Sequence, residues 1–392
     1  MAGTGAQLPS GPDVCPGSGA GHRGAGERAR RWAGTMTGQQ LAAGVRQAHA
    51  GDDQVAVGPV EPFDREAREQ AEELSLAPGA TRSAWSPARR ARPEQPDELR
   101  TCFEQDRDRI LHSAAFRRLA GKTQVFVFPA DHQRTRLTHA LEVAQVATAI
   151  SRACRLNLAL TEAIALGHDC GHGPGGHASE DAFGVFVPGF DHAVWGADVT
   201  AGPMNLCVET LDGIRNHSWS RPSPATPEGQ VVGLADRVAY CAHDLEDAAV
   251  AGLVDPADLP AEVAERCGVT RSAQLHAFVT DIVATVTRTG LVGMSEPMGE
   301  ALARLRAFNH ERIYLRAESV AQGRSVIDML QALVEHLIRH PADLPAEYRR
   351  DDDPRLAAVA YVDGMTDRYA CATAVSLLGW PAERLPRGQD VG

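Results

Sequence analysis

Residues 134–173 read RTRLTHALEVAQVATAISRACRLNLALTEAIALGHDCGHG. Apolar positions return here at helical rather than alternating spacing. Leu137, Leu141, Ala144 and Thr148 fall on one stripe of a helix over 136–156. A second helix is expected over 161–173, running into a glycine stop, with Thr161 as N-cap and Glu162 in its first turn. Working outward, TCFEQDRDRILHSAAFRRLAG (101–121) mixes charged and apolar positions at the same spacing. TPEGQVVGLADRVAYCAHDLEDAAVAG (226–252) opens on Thr-Pro, which puts proline at the first helical position. Further helices are expected at 257–266, 272–288, 296–308, 311–340 and 354–377, with a short polar helix at 63–75. The one strand-like stretch is QVFVF (124–128). The spacing predicts an all-α fold.

The chain has 392 residues, 39 basic and 51 acidic, a net charge of −12. An acidic chain has no bulk attraction for DNA or anionic membranes. The 43% hydrophobic content suffices for a sizeable core. Eleven of the 37 glycines fall in the first 50 residues, without helical period, so 1–62 is expected to be a disordered tail. Residues 63–99 read as a polar helix and an Arg/Pro-rich arm, and 100–385 as one large helical domain. Eight cysteines form no C-x-x-C pair, which argues against a zinc ribbon and fits buried thiols in a reducing cytoplasm. No run of about 18 apolar residues and no secretory h-region is present, so the expectation is a cytoplasmic protein without a membrane span.

Chemistry concentrates in the histidines. Six of 15 lie between 132 and 192 and eight between 132 and 243. His139 lies on a strong helix, His168 and Asp169 end the next one, and Asp236 lies mid-helix, between Ala235 and Arg237, in an otherwise apolar segment. An ionised aspartate there needs a cation or a hydrogen-bond network. One divalent ion would satisfy all four groups, and two imidazoles with two carboxylates suit Mn²⁺ or Mg²⁺ first, with Fe²⁺ and Zn²⁺ also compatible. The alternative is four unrelated residues. His177 and Glu180 are three apart and can meet on a helix. Asp236, Tyr240, Asp244 and Asp247 share one stripe, and Arg136 precedes His139 by a turn. Gly171, Gly173 and Gly176 spell G-x-G-x-x-G but follow a helix, so no dinucleotide fold is expected. Gly121-Lys122-Thr123 lacks the first glycine of a phosphate-binding loop, leaving Lys122 as a surface lysine. Arg82, Arg89, Arg90 and Arg92 form a basic arm, read as a weak single-stranded nucleic-acid contact or a solvated linker.

The order H…HD…D resembles the HD-domain metal phosphohydrolases. DRDRILHSAAFRRLAGKTQVF, RTRLTHALEVAQVA, EAIALGHDCGHGPGGHASEDAF, PATPEGQVVGLADRVAYCAHDLEDA and GMTDRYA resemble, in that order, the deoxyguanosine-triphosphate triphosphohydrolase family. They are also similar, more distantly, to the animal enzyme that joins a SAM domain to an HD domain. The resemblance covers roughly 100–250 closely and 305–377 loosely. It implies the HD-domain helical fold, metal ligands His139, His168, Asp169 and Asp236, and cleavage of a dNTP at the α-phosphorus to deoxynucleoside and triphosphate. It implies His177 as proton donor with Glu180 orienting it, and His172 as a second active-site histidine. It also implies substrate contacts from Gln124, Tyr240 and Asp244, with Arg136 approaching a phosphate. HERIY (310–314) resembles the family's C-terminal helix and is expected mostly to pack, with Tyr314 as a candidate contact, and relatives form homo-oligomers. Two departures stand out. The family often has an aromatic where Gly175 stands, which implies a looser pocket wall. It has Asn where Ala193 stands, which puts His192 in doubt. Competing readings are a phosphohydrolase of nucleoside monophosphates or cyclic nucleotides, and a non-catalytic nucleotide sensor.

Overall fold

Side-chain caps set most of the helix starts in the structure, a computed structural model that describes residues 21–35, 39–40, 44–47, 57–85, 89–130, 132–350 and 353–388. The chain divides into two units, Met1–Pro62 and Phe63–Gly392. The first holds helix α1 (Gly21–Thr35) and an antiparallel pairing of β1 (Gln39–Gln40) with β2 (Arg46–Gln47). No regular element was expected in 1–62; α1 forms where Arg and Ala, both good helix formers, cluster, and its described side chains are exposed. Apart from 44–45 and 57–62, which join none of these elements, the rest of the expected tail lies outside the described residues.

The second unit is helical, as the spacing predicts. Its helices are α2 (Arg65–Ser75), α3 (Cys102–His112), α4 (Ala114–Arg118), α5 (Arg136–Ala153) and α6 (Leu158–Gly167). Next come α7 (His177–Gly184), α8 (His192–Trp195), α9 (Val208–Asn216), α10 (Pro227–Val250) and α11 (Ala261–Cys267). The chain closes with α12 (Arg271–Thr289), α13 (Glu296–Asn309), α14 (Ala317–Arg339), α15 (Pro354–Asp363) and α16 (Asp367–Leu378). Thr226 caps α10 by accepting from Gly229 N, with Pro227 following. No helix among the described residues is long and apolar enough to cross a membrane.

Several local expectations fail for physical reasons. Asn157, not Thr161, caps α6; Thr161 is buried and bonds Ser151. QVFVF is not a strand: only Thr123, just before it, makes a bridge, with Thr135, and Phe128 takes φ 52°. The helix expected over 311–340 is preceded by a π turn at His310–Tyr314, and that over 354–377 breaks at Gly364–Thr366. On α5 the buried face is Arg136, His139, Ala140, Val143, Ala147 and Ile150, while Leu141 is exposed. Of the expected stripe Ala144 is buried and Leu137 and Thr148 are half-buried; the burial of Arg136 and His139 rotates the face. The basic arm is spent internally. Arg90 pairs with buried Asp106 at 2.7 Å, Arg89 with Glu209 at 2.7 Å, Arg82 donates to Ala77 O, and Arg92 donates to Pro203 O. A nucleic-acid strand would have to displace these bonds.

Two apolar cores form. The larger joins α3, α5, α6, α9, α10, α12 and α13 through residues such as Phe103, Ile150, Ile164, Val232 and Leu305. The smaller joins α7 and α8 to α14, α15 and α16 through Phe183, Trp195, Leu330, Val359 and Ala370. Burying side chains of this size stabilises by about 1.5–3 kcal/mol each. The seven described cysteines are free thiols, six of them buried.

Candidate metal centre and active site

The buried face of α5 presents Arg136 and His139, the C-terminal end of α6 delivers His168 and Asp169, and α10 supplies Asp236. His139 Nε2 lies 3.1 Å from Asp236 Oδ1 and 3.9 Å from Asp169 Oδ2. His168 Nε2 lies 3.4 Å from Asp169 Oδ1 and 3.7 Å from Asp236 Oδ1. Atoms bound about 2.1 Å from a common ion sit roughly 3.0–3.4 Å apart, so the spacing fits one divalent cation. His168 Nδ1 donates to Ala165 O at 2.6 Å, which leaves the Nε2 lone pair buried without a hydrogen-bond partner. That orphaned nitrogen beside buried Asp169 and half-buried Asp236 fits a metal ligand set. Burial works against ionising Asp236, but its bond to His139 and the neighbouring imidazoles hold it below the usual carboxylate range. Asp169 is likewise held down, against burial, by His168, Arg136 and His172.

A second histidine layer adjoins this cluster. His172 is buried, its Nε2 3.3 Å from Asp169 Oδ1, and its ring stacks on His192 at 3.6 Å. Burial and the charge of Arg136 hold His172 well below the usual imidazole range, so it is neutral. His177 begins α7 with an exposed side chain, and its Nδ1 lies 2.8 Å from Glu180 Oε1. The same oxygen lies 3.1 Å from His192 Nδ1. Burial opposes ionisation of Glu180, but these two histidines draw it far below its usual range.

Some residues escaped the sequence reading. His217 was not singled out, yet its Nδ1 donates to Ile214 O at 2.8 Å and its Nε2 lies 3.3 Å from His192 Nε2. Burial and two neighbouring imidazoles lower its pKa to about 4. The histidine crowding was its only sequence signal. His192, placed in doubt by Ala193, sits inside the cluster, and Ala193 is fully buried beside it. The expected wall defect at Gly175 is absent: a Cβ there would lie 2.4 Å from Val326 Cγ1, and φ is +76°. Val326 of α14 already fills that space. Lys122 is buried rather than at the surface, donating to the His172 and Asp363 carbonyls.

These groups border a cavity of about 710 Å³. His139, Asp169, Asp236, His172 and His177 line it, as do Gln124, Arg136, Tyr240 and Asp244, while His168 lies fully buried behind the wall. Arg136 donates one N–H to Asp169 at 2.7 Å, and its Nε and Nη2 are buried without partners. Arg237, Arg306 and Arg324 add to the lining, Arg237 stacked 4.1 Å over Trp219. Tyr240 OH accepts from Arg306 Nε at 2.9 Å. Asp244 accepts from Tyr314 OH; burial lifts its carboxyl to about 7, and its Oδ1 has no partner. Asp247, fourth on the stripe, turns away to Arg134.

Comparison with known proteins agrees with this arrangement. Residues 136–241 match the HD domain and 292–375 the phosphohydrolase-associated domain. A deoxyguanosinetriphosphate triphosphohydrolase-like protein of Caldanaerobacter subterraneus is 41% identical over 317 residues, 78% of this chain and 93% of that protein. One from Clostridium perfringens is 40% identical over 299 residues, covering 71% and 87%. Another, from Deinococcus radiodurans, is 38% identical over 374 residues, covering 81% and 99%. With a helical fold, a His/Asp cluster in HD order and relatives matched over nearly their whole length, the chain belongs to the deoxyguanosinetriphosphate triphosphohydrolase-like family of HD-domain phosphohydrolases.

Proposed function

We propose that the protein hydrolyses a deoxynucleoside triphosphate, dGTP or another dNTP, to deoxynucleoside and inorganic triphosphate. One observation carries the reading. Arg136, whose Nε and Nη2 are buried without partners, lines a cavity that has the His/Asp cluster beside it and three further arginines along its wall. That combination suits a polyphosphate whose first phosphate lies at the cluster.

His139, His168, Asp169 and Asp236 would hold one divalent ion, Mn²⁺ or Mg²⁺ in first place, which when bound supplies polarisation of the α-phosphate and an activated water. Arg136 binds α-phosphate oxygens, and Arg237, Arg306 and Arg324 hold the outer phosphates. Water adds to the α-phosphorus and the bond from phosphorus to the 5′-oxygen breaks. His177 donates its Nε2 proton to the leaving 5′-oxygen, whose alkoxide would otherwise be a poor leaving group. Glu180, 2.8 Å from Nδ1, orients the ring. His172, held neutral, meets the phosphates as a hydrogen-bonding partner rather than a charge. Asp244 Oδ1, buried and unpartnered, accepts from the sugar 3′-OH, and the Gln124 side chain, whose Oε1 is also buried without a partner, contacts the deoxyribose. Tyr240 packs against the sugar, leaving no room for a 2′-OH.

The test is a panel of dNTPs and NTPs with Mg²⁺ or Mn²⁺, read by chromatography of the phosphate products. Triphosphate from dNTPs, absent in Asp169→Ala, supports the reading. Orthophosphate or pyrophosphate as the product from the wild-type protein overturns it.

A further inference from the structure

Thirty-eight of the 39 basic side chains are arginine; the exception, Lys122, is buried. Its Nζ donates to the His172 carbonyl and, at 2.9 Å, to the Asp363 carbonyl. Its own carbonyl accepts from Arg136 N at 3.3 Å, in the first turn of α5. One residue therefore bonds the loop that carries His172, the start of the helix that carries His139, and the end of α15. Its neighbours extend the seam. Thr123 Oγ1 donates to Asp367 Oδ2 at 2.6 Å, Gly175 N donates to Asp367 Oδ1 at 2.8 Å, and Trp195 Nε1 donates to Asp363 Oδ2 at 3.2 Å.

The placement matters because the site is divided. His139, His168, Asp169 and Asp236 ride on helices of the larger core, whereas His177 and Glu180 ride on α7, which packs on the smaller. The loop 171–176 joins the two, and Lys122 grips it from behind. A buried ammonium is tolerated only where its donors are met, so this contact has a defined geometry. A slender stem with a compact charge reaches two carbonyls in a space where a planar guanidinium fork would need more room and more acceptors. Lys122 does not line the cavity, so it acts through His172 and the loop.

We propose that Lys122 is a positioning residue for the hydrolysis inferred above: its ammonium fixes the His172 carbonyl and thereby the separation between the His177–Glu180 pair and the His/Asp cluster. The inference rests on that functional reading. Misplacing a reacting group by about 1 Å costs on the order of a hundredfold in rate.

Wild type and Lys122→Met are compared for triphosphate release, KM, bound Mn²⁺ and thermal stability. The expected result is a fall in kcat of about a hundredfold, with KM and Mn²⁺ content unchanged. A kcat equal to wild type, or a loss carried by KM or by Mn²⁺, overturns the proposal. No triphosphate from the wild type instead overturns the functional reading, so the two failures are separable. Should Lys122→Met fail to fold, the wild type decides. The lone lysine, labelled with ¹⁵N at Nζ, gives a single side-chain ammonium signal. That signal is expected to shift when α,β-methylene-dGTP and Mg²⁺ are added; an unmoved signal in protein shown to bind the analogue overturns the proposal.

Discussion

Glu180 Oε1 lies 2.8 Å from Nδ1 of His177, and both side chains come from the first turn of α7. Nδ1–H donates to the carboxylate, and His177 lines the cavity. A histidine so held is suited to protonating a leaving oxygen, and its carboxylate partner is Glu180 rather than Asp169 or Asp236.

His177→Ala therefore separates chemistry from binding. The side chain is 74% exposed, so the fold loses within about 0.5 kcal/mol. The expected outcome is a kcat lower by about 10²–10⁴-fold, with bound Mn²⁺ and nucleotide affinity unchanged. Loss of metal from this variant would contradict the assigned role.

Gly175→Phe tests the cavity wall. The position has φ +76°, and a Cβ would lie 2.4 Å from Val326 Cγ1. Strain and overpacking together cost on the order of 2–5 kcal/mol. A clear drop in Tm is expected, and Val326→Ala in the same protein restores only the steric share. A Tm within a degree or so of wild type would show that the backbone readily adopts another path.

Asp363→Asn tests a pH dependence. Burial raises the Asp363 carboxyl to about 7, against the opposing effects of Lys122 and of the Trp195 bond. An unfolded aspartate titrates near 3.9. Between these values the folded protein holds a proton that the unfolded chain lacks. The stabilisation is complete below about pH 4 and is lost as pH rises through about 7. Asparagine has no such titration, so thermal melts from pH 5 to 9 are expected to show a flatter profile for the variant and its relative gain at pH 8. Parallel profiles would show that Asp363 is ionised throughout.

Much of the fold was legible because apolar spacing and caps are local signals. α10, with its Thr226 cap and Pro227, is an example. The His/Asp cluster of His139, His168, Asp169 and Asp236 was legible through an ordered motif rather than through spacing alone. What escaped depends on distant packing. Lys122 meets Asp363 across 241 positions, and Thr123 meets Asp367 across 244; no window of sequence contains both partners. His217 reaches the cluster only because α9 ends against α6 and α10. Gly175 read as lost bulk because Val326, which fills that space, lies in another helix. The α5 stripe was rotated because Arg136 and His139, polar by composition, occupy its buried face.

The division of the centre between two apolar cores bears on how the molecule wears out. Both cores lie within one compact unit, Phe63–Gly392, and the contacts that cross between them hold the two halves of the centre in register. Gentle heat is expected to lower output before circular dichroism reports any loss of helix, and engineering for shelf life would begin with those crossing contacts.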